Sequence, residues 1–165
     1  MHVRVQLRYA AEVPAVAAML ADERYARARV EASGAAVEQA DVVGTADSAF
    51  TVTTRRSVPT DQIPAQARAF VGSRLEVRHV EAWEAPEADG TRRGSVVVEI
   101  VGAPVRLTGT VSLTPGSDAS TLTYDGELKA TVPLFASAVE QAAVGAVRSA
   151  LEAEQDAGTR WLAGH

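Results

Sequence analysis

Two residues that could perform acid-base chemistry, His79 and Glu81, stand two apart in a predicted strand. Side chains two apart on a strand point to the same face, and this face otherwise carries Leu75, Val77 and Trp83. A histidine beside a carboxylate could act as a general base in a cyclase or hydrolase. A structural or solvated histidine is the favoured interpretation, because a fold alone does not confer chemistry.

Two tyrosines, Tyr9 and Tyr124, fall on predicted inward faces, where each hydroxyl needs a hydrogen-bond partner. We favour core tyrosines that bond to backbone or reach the rim. The alternative is that one of them orients the polar end of a ligand. Trp83 and Phe50 are interpreted in the same way, as core residues first and ligand contacts second.

The basic pair Arg55-Arg56 follows a predicted strand and could hold an anionic head group at the mouth of a pocket. A solvated strand end is the favoured interpretation. The sequence has no His-x-x-x-His pair, no glycine-rich phosphate loop and no Gly-x-Ser-x-Gly elbow. With histidines only at positions 2, 79 and 165 and no cysteine, we expect neither a metal site nor a cofactor.

The elements that position these residues begin with strict alternation over residues 2–9, which predicts a strand with one wet face. Residues 12–34 have helical patterning that breaks near Leu20–Asp22, which predicts two short helices. Further strands are predicted at 36–43, 48–58, 74–84, 94–102, 105–114 and 120–132. In the strand at 74–84, apolar residues on the second face suggest a phase shift at a bulge.

A long amphipathic helix is predicted from Pro133 to about Trp161, followed by a frayed tail. Its apolar stripe is mostly alanine, so the helix either packs closely on the sheet or leaves space beneath it, and we weigh the two about evenly. Gly109 and Gly126 on the inward face favour a cavity or a strongly bent sheet. The stripe consists of Phe135, Val139, Ala142, Ala143, Ala146, Ala150, Ala153, Ala157 and Trp161, widened by Val144, Val147 and Leu151.

One segment between strands, Asp61 to Gly72, contains Pro64 and a short helical pattern around Ala65–Phe70. It is predicted to be a loop with a turn of helix. Such an insertion can act as a lid over a pocket.

Composition is that of an ordinary globular protein, with 165 residues, 47% hydrophobic and 22% charged, and we expect a single domain over 1–165. A net charge of -5 argues against a nucleic-acid partner. No stretch is long and apolar enough for a membrane span and no signal peptide is evident, so we expect a cytoplasmic location. Only one of 16 basic residues is lysine and asparagine is absent, which indicates a GC-rich bacterial genome.

This order of elements resembles that of the helix-grip fold, and the chain is similar to the START-like superfamily of lipid-transfer proteins, polyketide cyclases and aromatases. More narrowly, it resembles a bacterial START-like family of unknown function. The segments that carry the resemblance are Met1-His2-Val3, Leu20 to Tyr25, Val132-Pro133-Leu134-Phe135 and Glu154 to Leu162. The resemblance implies an α+β fold, with a curved antiparallel sheet of about seven strands wrapped on the long C-terminal helix, and an interior pocket.

We therefore expect a protein that binds an apolar or amphipathic small molecule, lipid or polyketide-like, between sheet and C-terminal helix. Two alternatives stay open: a cyclase or aromatase with His79 as base and Glu81 as its orienter, and a protein-interaction module that uses Val144, Leu151 and Leu162. The candidate ligand-binding residues are Tyr9, Phe50, Val52, His79, Glu81, Trp83, Tyr124, Val139, Ala143 and Ala146.

Overall fold

Strand, helix pair, strands and a long final helix follow one another in the predicted order. The structure, a computed structural model, describes residues 1–63, 65, 68–69 and 72–164. The elements are β1 (His2–Tyr9), α1 (Val13–Leu20), α2 (Glu23–Ala32), β2 (Ala36–Gly44), β3 (Phe50–Pro59), a 3-10 turn (Thr60–Gln62), β4 (Arg74–Trp83), β5 (Arg92–Ile100), β6 (Val105–Pro115), β7 (Ser120–Ala130) and α3 (Ala136–Gly164).

Seven strands of the described chain form one antiparallel sheet in the order β1-β7-β6-β5-β4-β3-β2. Side chains alternate across it, and in β1 every second residue is buried while its neighbours are exposed. One face of the sheet is therefore wet, and the other faces α3 and the core.

Two glycines face each other across neighbouring strands, Gly109 in β6 and Gly126 in β7. A Cβ at Gly109 would lie 2.2 Å from the backbone oxygen of Asp125, and one at Gly126 would lie 2.6 Å from that of Thr108. No side chain fits between backbones that approach so closely. The close approach of the two backbones explains why both positions are glycine.

The helix pair α1 and α2 has the predicted break and end signals. Pro14 lies in the first turn of α1, and the side chain of Asp22 caps α2 by accepting from the Arg24 backbone N at 2.8 Å. Gly34 follows α2 with a φ of +84°, the left-handed conformation that ends a helix. α2 packs against β2, β3 and α3, and it fills one end of the concave face.

The long helix begins and ends later than predicted. Leu134 has a φ of +69° and is 97% exposed, so a left-handed turn separates β7 from a helix that starts at Ala136 rather than Pro133. The helix continues to Gly164, so the frayed tail expected after Trp161 is wrong. Its 29 residues make it about 43 Å long, enough to cross the sheet.

Strand β5 is shifted by two residues from the predicted 94–102. It starts at Arg92, whose guanidinium is buried and donates to the backbone oxygens of Glu84, Ser48 and Ala46. An arginine that binds backbone carbonyls can occupy a buried strand end, which the sequence pattern does not reveal.

Candidate functional site

A cavity of about 480 Å³ lies between the concave face of the sheet and the first half of α3. This volume falls within the usual range of small-molecule sites, roughly 300–1,000 Å³. Most of the wall is aliphatic. The sheet contributes Leu75, Val77, Val96, Val98, Leu107 and Leu128, and the helix contributes Val139, Ala142, Ala143, Gly145, Ala146 and Ala150.

The cavity exists because the helix residues that face the sheet here are small. Ala143 and Ala146 leave space that larger side chains would fill, and Gly126 in the wall opposite has no side chain. Beyond Glu154, the last α3 residue in the cavity wall, the helix is packed instead: Ala157 and Gly158 are buried. Both predicted outcomes, close packing and a cavity, therefore occur on one helix.

A cluster of polar side chains surrounds Glu81, whose side chain is 0% exposed. Its Oε1 accepts from the Tyr124 hydroxyl at 2.8 Å and from Arg29 Nη1 at 3.3 Å, and its Oε2 accepts from Trp83 Nε1 at 3.1 Å. His79 Nε2 lies 3.0 Å from Oε1. One carboxylate thus organises four neighbours.

The charge of Glu81 depends on those neighbours. Burial is the largest influence and raises its pKa, but Arg29, His79 and Tyr124 together outweigh burial and hold the pKa well below the ordinary value. Burial and the nearby Glu81 charge raise the pKa of Tyr124 well above its ordinary value. At neutral pH the carboxyl is therefore an anion and the phenol remains a donor to it.

A second buried ion pair, Arg56 with Glu154, lies in the cavity wall. Arg56 Nη2 is 3.4 Å from Glu154 Oε1, and Arg56 Nη1 donates to Ser33 Oγ at 3.1 Å. The Tyr25 hydroxyl donates to the backbone oxygen of Glu154 at 3.1 Å. Tyr9 lies beside Tyr25. Burial raises the pKa of Tyr9 to about 12, so its hydroxyl also stays protonated at neutral pH.

Half of the predicted site residues line the cavity and half do not. The five in its wall are His79, Tyr124, Val139, Ala143 and Ala146. The other five, Tyr9, Phe50, Val52, Glu81 and Trp83, are buried in the filled part of the core. Their part in binding stays a prediction.

Strand β4 has the predicted inward face but not the predicted irregularity. His79, Glu81 and Trp83 are all buried, and the pairing with β3 is regular from Arg74 to Trp83. The bulge expected in this strand is therefore wrong.

The sequence interpretation misses Arg29 and Glu154, and it weighs Arg55 and Arg56 only as a possible anion contact against a solvated strand end. Arg55 is half-exposed and pairs with Glu76 at 2.8 Å, so a solvated strand end describes it correctly. For Arg56 that expectation is wrong, because its side chain is 7% exposed.

A signal for these residues is present in the periodicity. Arg56 continues the buried parity of β3, Arg29 follows Tyr25 by four positions in α2, and Glu154 follows Leu151 by three in α3. Charged residues at apolar positions are usually taken as solvated, whereas here they pair with one another inside the protein.

The possible lid at Asp61 to Gly72 is only partly described. Ile63 lines the cavity, while Pro64, Gln66, Ala67, Phe70 and Val71 lie outside the described residues, so the predicted helical turn is not tested.

Within residues 1–63, 65, 68–69 and 72–164, no group of three or more His, Asp or Glu side chains could hold a metal ion. No helix in that same part of the chain is long and apolar enough to cross a membrane.

Solved structures of the same shape include the aromatase/cyclase Zhui from Streptomyces sp. R1128, at 13% identity over 98% of this chain and 93% of that one, with a TM-score of 0.58. A STAR-related lipid transfer protein from Xanthomonas axonopodis is 21% identical over 93% and 82% of the two chains, with a TM-score of 0.56. TTHA0849 from Thermus thermophilus is 15% identical over 96% and 97%, with a TM-score of 0.58. At these identities the likeness shows the fold, which is the START-like helix-grip fold.

No curated protein is significantly similar to this chain. Residues 4–162 match the family described as "Protein of unknown function (DUF2505)". Because the match spans nearly the whole sequence, the chain belongs to the DUF2505 family.

Proposed function

We propose that the protein binds an apolar or amphipathic small molecule in the cavity between the sheet and the first half of α3, without catalysing its conversion. The observation that carries this proposal is the cavity of about 480 Å³, aliphatic along most of its wall and polar in one region. Apolar ligand surface buried there would contribute about 25 cal/mol per Å² before the costs of association.

Two proteins with the same fold support a lipid or polyketide-like ligand. One is an aromatase/cyclase and another is a STAR-related lipid transfer protein. We extend from them only the class of molecule, large and mainly apolar. The bacterial origin and cytoplasmic location expected from the sequence are part of this proposal.

Titration with the neutral fluorescent probe N-phenyl-1-naphthylamine tests the proposal. The wild-type protein should bind one probe per chain, saturably. Ala143→Trp places a large ring in the cavity and should weaken binding by at least about tenfold. Ala138→Trp is the matched control, since Ala138 is exposed on the same helix and is not part of the cavity wall. Non-saturable binding, or equal affinities for all three proteins, would overturn the proposal.

A cyclase or aromatase is the second candidate. It is favoured because His79 lines the cavity and its Nε2 lies 3.0 Å from Glu81 Oε1. A base at this position would remove a proton from carbon next to a bound carbonyl. We expect such an enzyme to accelerate deuterium exchange at the α-carbons of 2-undecanone, and His79→Phe to lose the acceleration. Exchange at the buffer rate with both proteins would eliminate this candidate.

The third candidate, a protein-interaction module, needs an exposed apolar stripe on α3. Leu151 is buried, and Val144 and Leu162 pack partly buried against the core. These residues are therefore not free to form the expected surface.

A further inference from the structure

We propose that the ligand of this cavity carries a carboxylate and binds with it directed at Arg56 and His79. This inference deepens the proposed function and depends on it. It rests on the arrangement of hydrogen-bond donors and acceptors in and behind the cavity wall.

The acidic side chains of the wall are already occupied. Asp125 touches the cavity, but its carboxylate accepts from His2 at 2.7 Å and from Arg4 at 2.7 Å, both on the wet face of the sheet. Glu154 is paired with Arg56. Neither carboxylate is left in the cavity to receive a donor from a ligand's polar end without breaking an existing pair.

The buried donors, by contrast, are in surplus. Arg56 Nε has no hydrogen-bond partner among the described residues, and its side chain is more than nine-tenths buried in the cavity wall. His79 is equally buried in the same wall, with its Nε2 3.0 Å from Glu81 Oε1. Behind them Arg29 makes one hydrogen bond, from Nη1 to Glu81, and its Nε and Nη2 are unpartnered as well. A buried donor without an acceptor has lost its hydrogen bonds to water and has formed none within the protein, which destabilises the fold.

The two ion pairs balance in charge but not in hydrogen bonding. Arg29 and Arg56 stand against Glu81 and Glu154, and N–H groups of both arginines are left without acceptors. A carboxylate brought by the ligand would supply acceptors and no further donor. An alkyl ammonium group would add a cation and one more set of donors to a region that already has too many.

A carboxylate is also the acceptor whose geometry suits a guanidinium. Its two oxygens can take two parallel N–H bonds, and charge-assisted bonds of this kind are roughly twice as strong as neutral ones. An alcohol offers one weaker acceptor. The aliphatic remainder of the wall, including Val96, Val98 and Leu107, would cover the apolar body of the same molecule.

The experiment compares three ligands with the same chain and different polar ends: dodecanoic acid, dodecan-1-ol and dodecylamine. Each is titrated against the wild-type protein saturated with N-phenyl-1-naphthylamine, and its dissociation constant is obtained from displacement of the probe. We expect the acid to bind at least about tenfold more tightly than the alcohol, and the amine to bind most weakly.

A paired variant, Arg56→Met with Glu154→Gln, tests the residues. Both charges are removed together, because removal of one alone would leave its partner buried and unpaired. The preference for acid over alcohol should fall below about threefold. Arg55→Met is the matched control: it removes the neighbouring arginine from the wet face and should leave the preference unchanged. His79→Gln, which keeps both ion pairs, should reduce the preference in part.

Equal affinities of the wild-type protein for acid and alcohol would overturn the inference and leave the proposed function standing. So would an unchanged preference in the folded paired variant, or failure of all three ligands to displace a bound probe. Failure of the probe itself to bind would overturn both. The ranking of ligands by the wild-type protein is informative even if the paired variant does not fold.

Discussion

The two halves of α3 both carry alanine on their inner stripe but differ in packing. The half that runs up to Glu154 borders an open cavity, whereas the half beyond it packs on aromatic side chains. The Tyr25 ring meets Trp161 edge-on at 5.5 Å, and both Tyr9 and Tyr25 approach Gly158. Small residues on a helix therefore leave a cavity only where no second layer of structure fills the space.

The second layer here is the pair α1 and α2. α2 brings Tyr25 to the backbone of Glu154 and Arg29 to Glu81, so the packed half is fixed by buried hydrogen bonds as well as by apolar contact. Among the described residues, no helix packs in the same way under the first half of α3. We infer that the packed half supplies stability and that the open half is available for a ligand.

The largest expected effect comes from breaking the polar cluster of the packed half. Arg29→Met leaves Glu81 buried and short of a partner, which should cost about 3–5 kcal/mol of unfolding free energy. Urea denaturation followed by circular dichroism measures this. Arg27→Met, an exposed arginine on the same helix, should change stability by less than about 0.5 kcal/mol. Equal losses in the two variants would show that the buried pair has no special role.

The second prediction concerns acid. The pKa of Glu81 is lowered in the folded protein, so the unfolded state binds its proton at higher pH than the folded state does. Stability from this group is complete above the unfolded pKa of about 4.3 and is lost as pH falls below it. The double variant Arg29→Met with Glu81→Met should have a shallower loss of stability below this pH, measured by urea denaturation at a series of pH values. An unchanged acid profile would contradict the assignment.

At alkaline pH, stability should depend on Tyr9, and it should fall as pH rises. Burial raises the pKa of Tyr9 to about 12, above the unfolded value of about 10. Stability from this group is complete below about pH 10 and is lost as pH rises through the folded pKa. Tyr9→Phe should therefore flatten the alkaline limb of the stability profile, and a limb of unchanged slope would count against it.

Glycine-to-alanine substitutions at two positions of α3 test the difference in packing between its halves. A Cβ at Gly158 would lie 2.7 Å from Cε1 of Tyr9 and 2.9 Å from the hydroxyl of Tyr25, so Gly158→Ala should cost about 1–3 kcal/mol by overpacking. A Cβ at Gly145 meets nothing within 4 Å, so Gly145→Ala should stabilise the helix by about 0.5–1 kcal/mol. Thermal unfolding of both variants checks the pair. Changes of the same sign would mean that the halves are packed alike.

Much of the fold could be predicted because its strands are half-buried. Alternation of apolar and polar residues in β1, β6 and β7 predicts which of their side chains face the core. Asp22 and Gly34 mark the ends of α2. Such local signals do not fix how far a helix lies from a sheet. That distance depends on where α1 and α2 pack, which is why an alanine stripe alone could not separate a cavity from close packing.

The site was less predictable, for a different reason. His79, Glu81 and Tyr124 could be chosen because they interrupt apolar rows, but Arg29, the partner of Glu81, is 52 residues away in sequence. Arg56 likewise pairs with Glu154, 98 residues away. A buried arginine and a solvated one have the same sequence signature until the carboxylate that pairs with it is located. Only the folded arrangement shows which charges meet.

The most direct test of the account is to locate a bound apolar probe. With methyl-labelled protein and unlabelled N-phenyl-1-naphthylamine, we expect intermolecular nuclear Overhauser effects to Val98, Leu107 and Val139 in the cavity wall, and none to Val16 and Val52 in the filled core. Contacts confined to exposed methyl groups such as those of Leu134 and Val43, or the absence of any contact under saturating probe, would contradict the claim that the open half of α3 is a binding site.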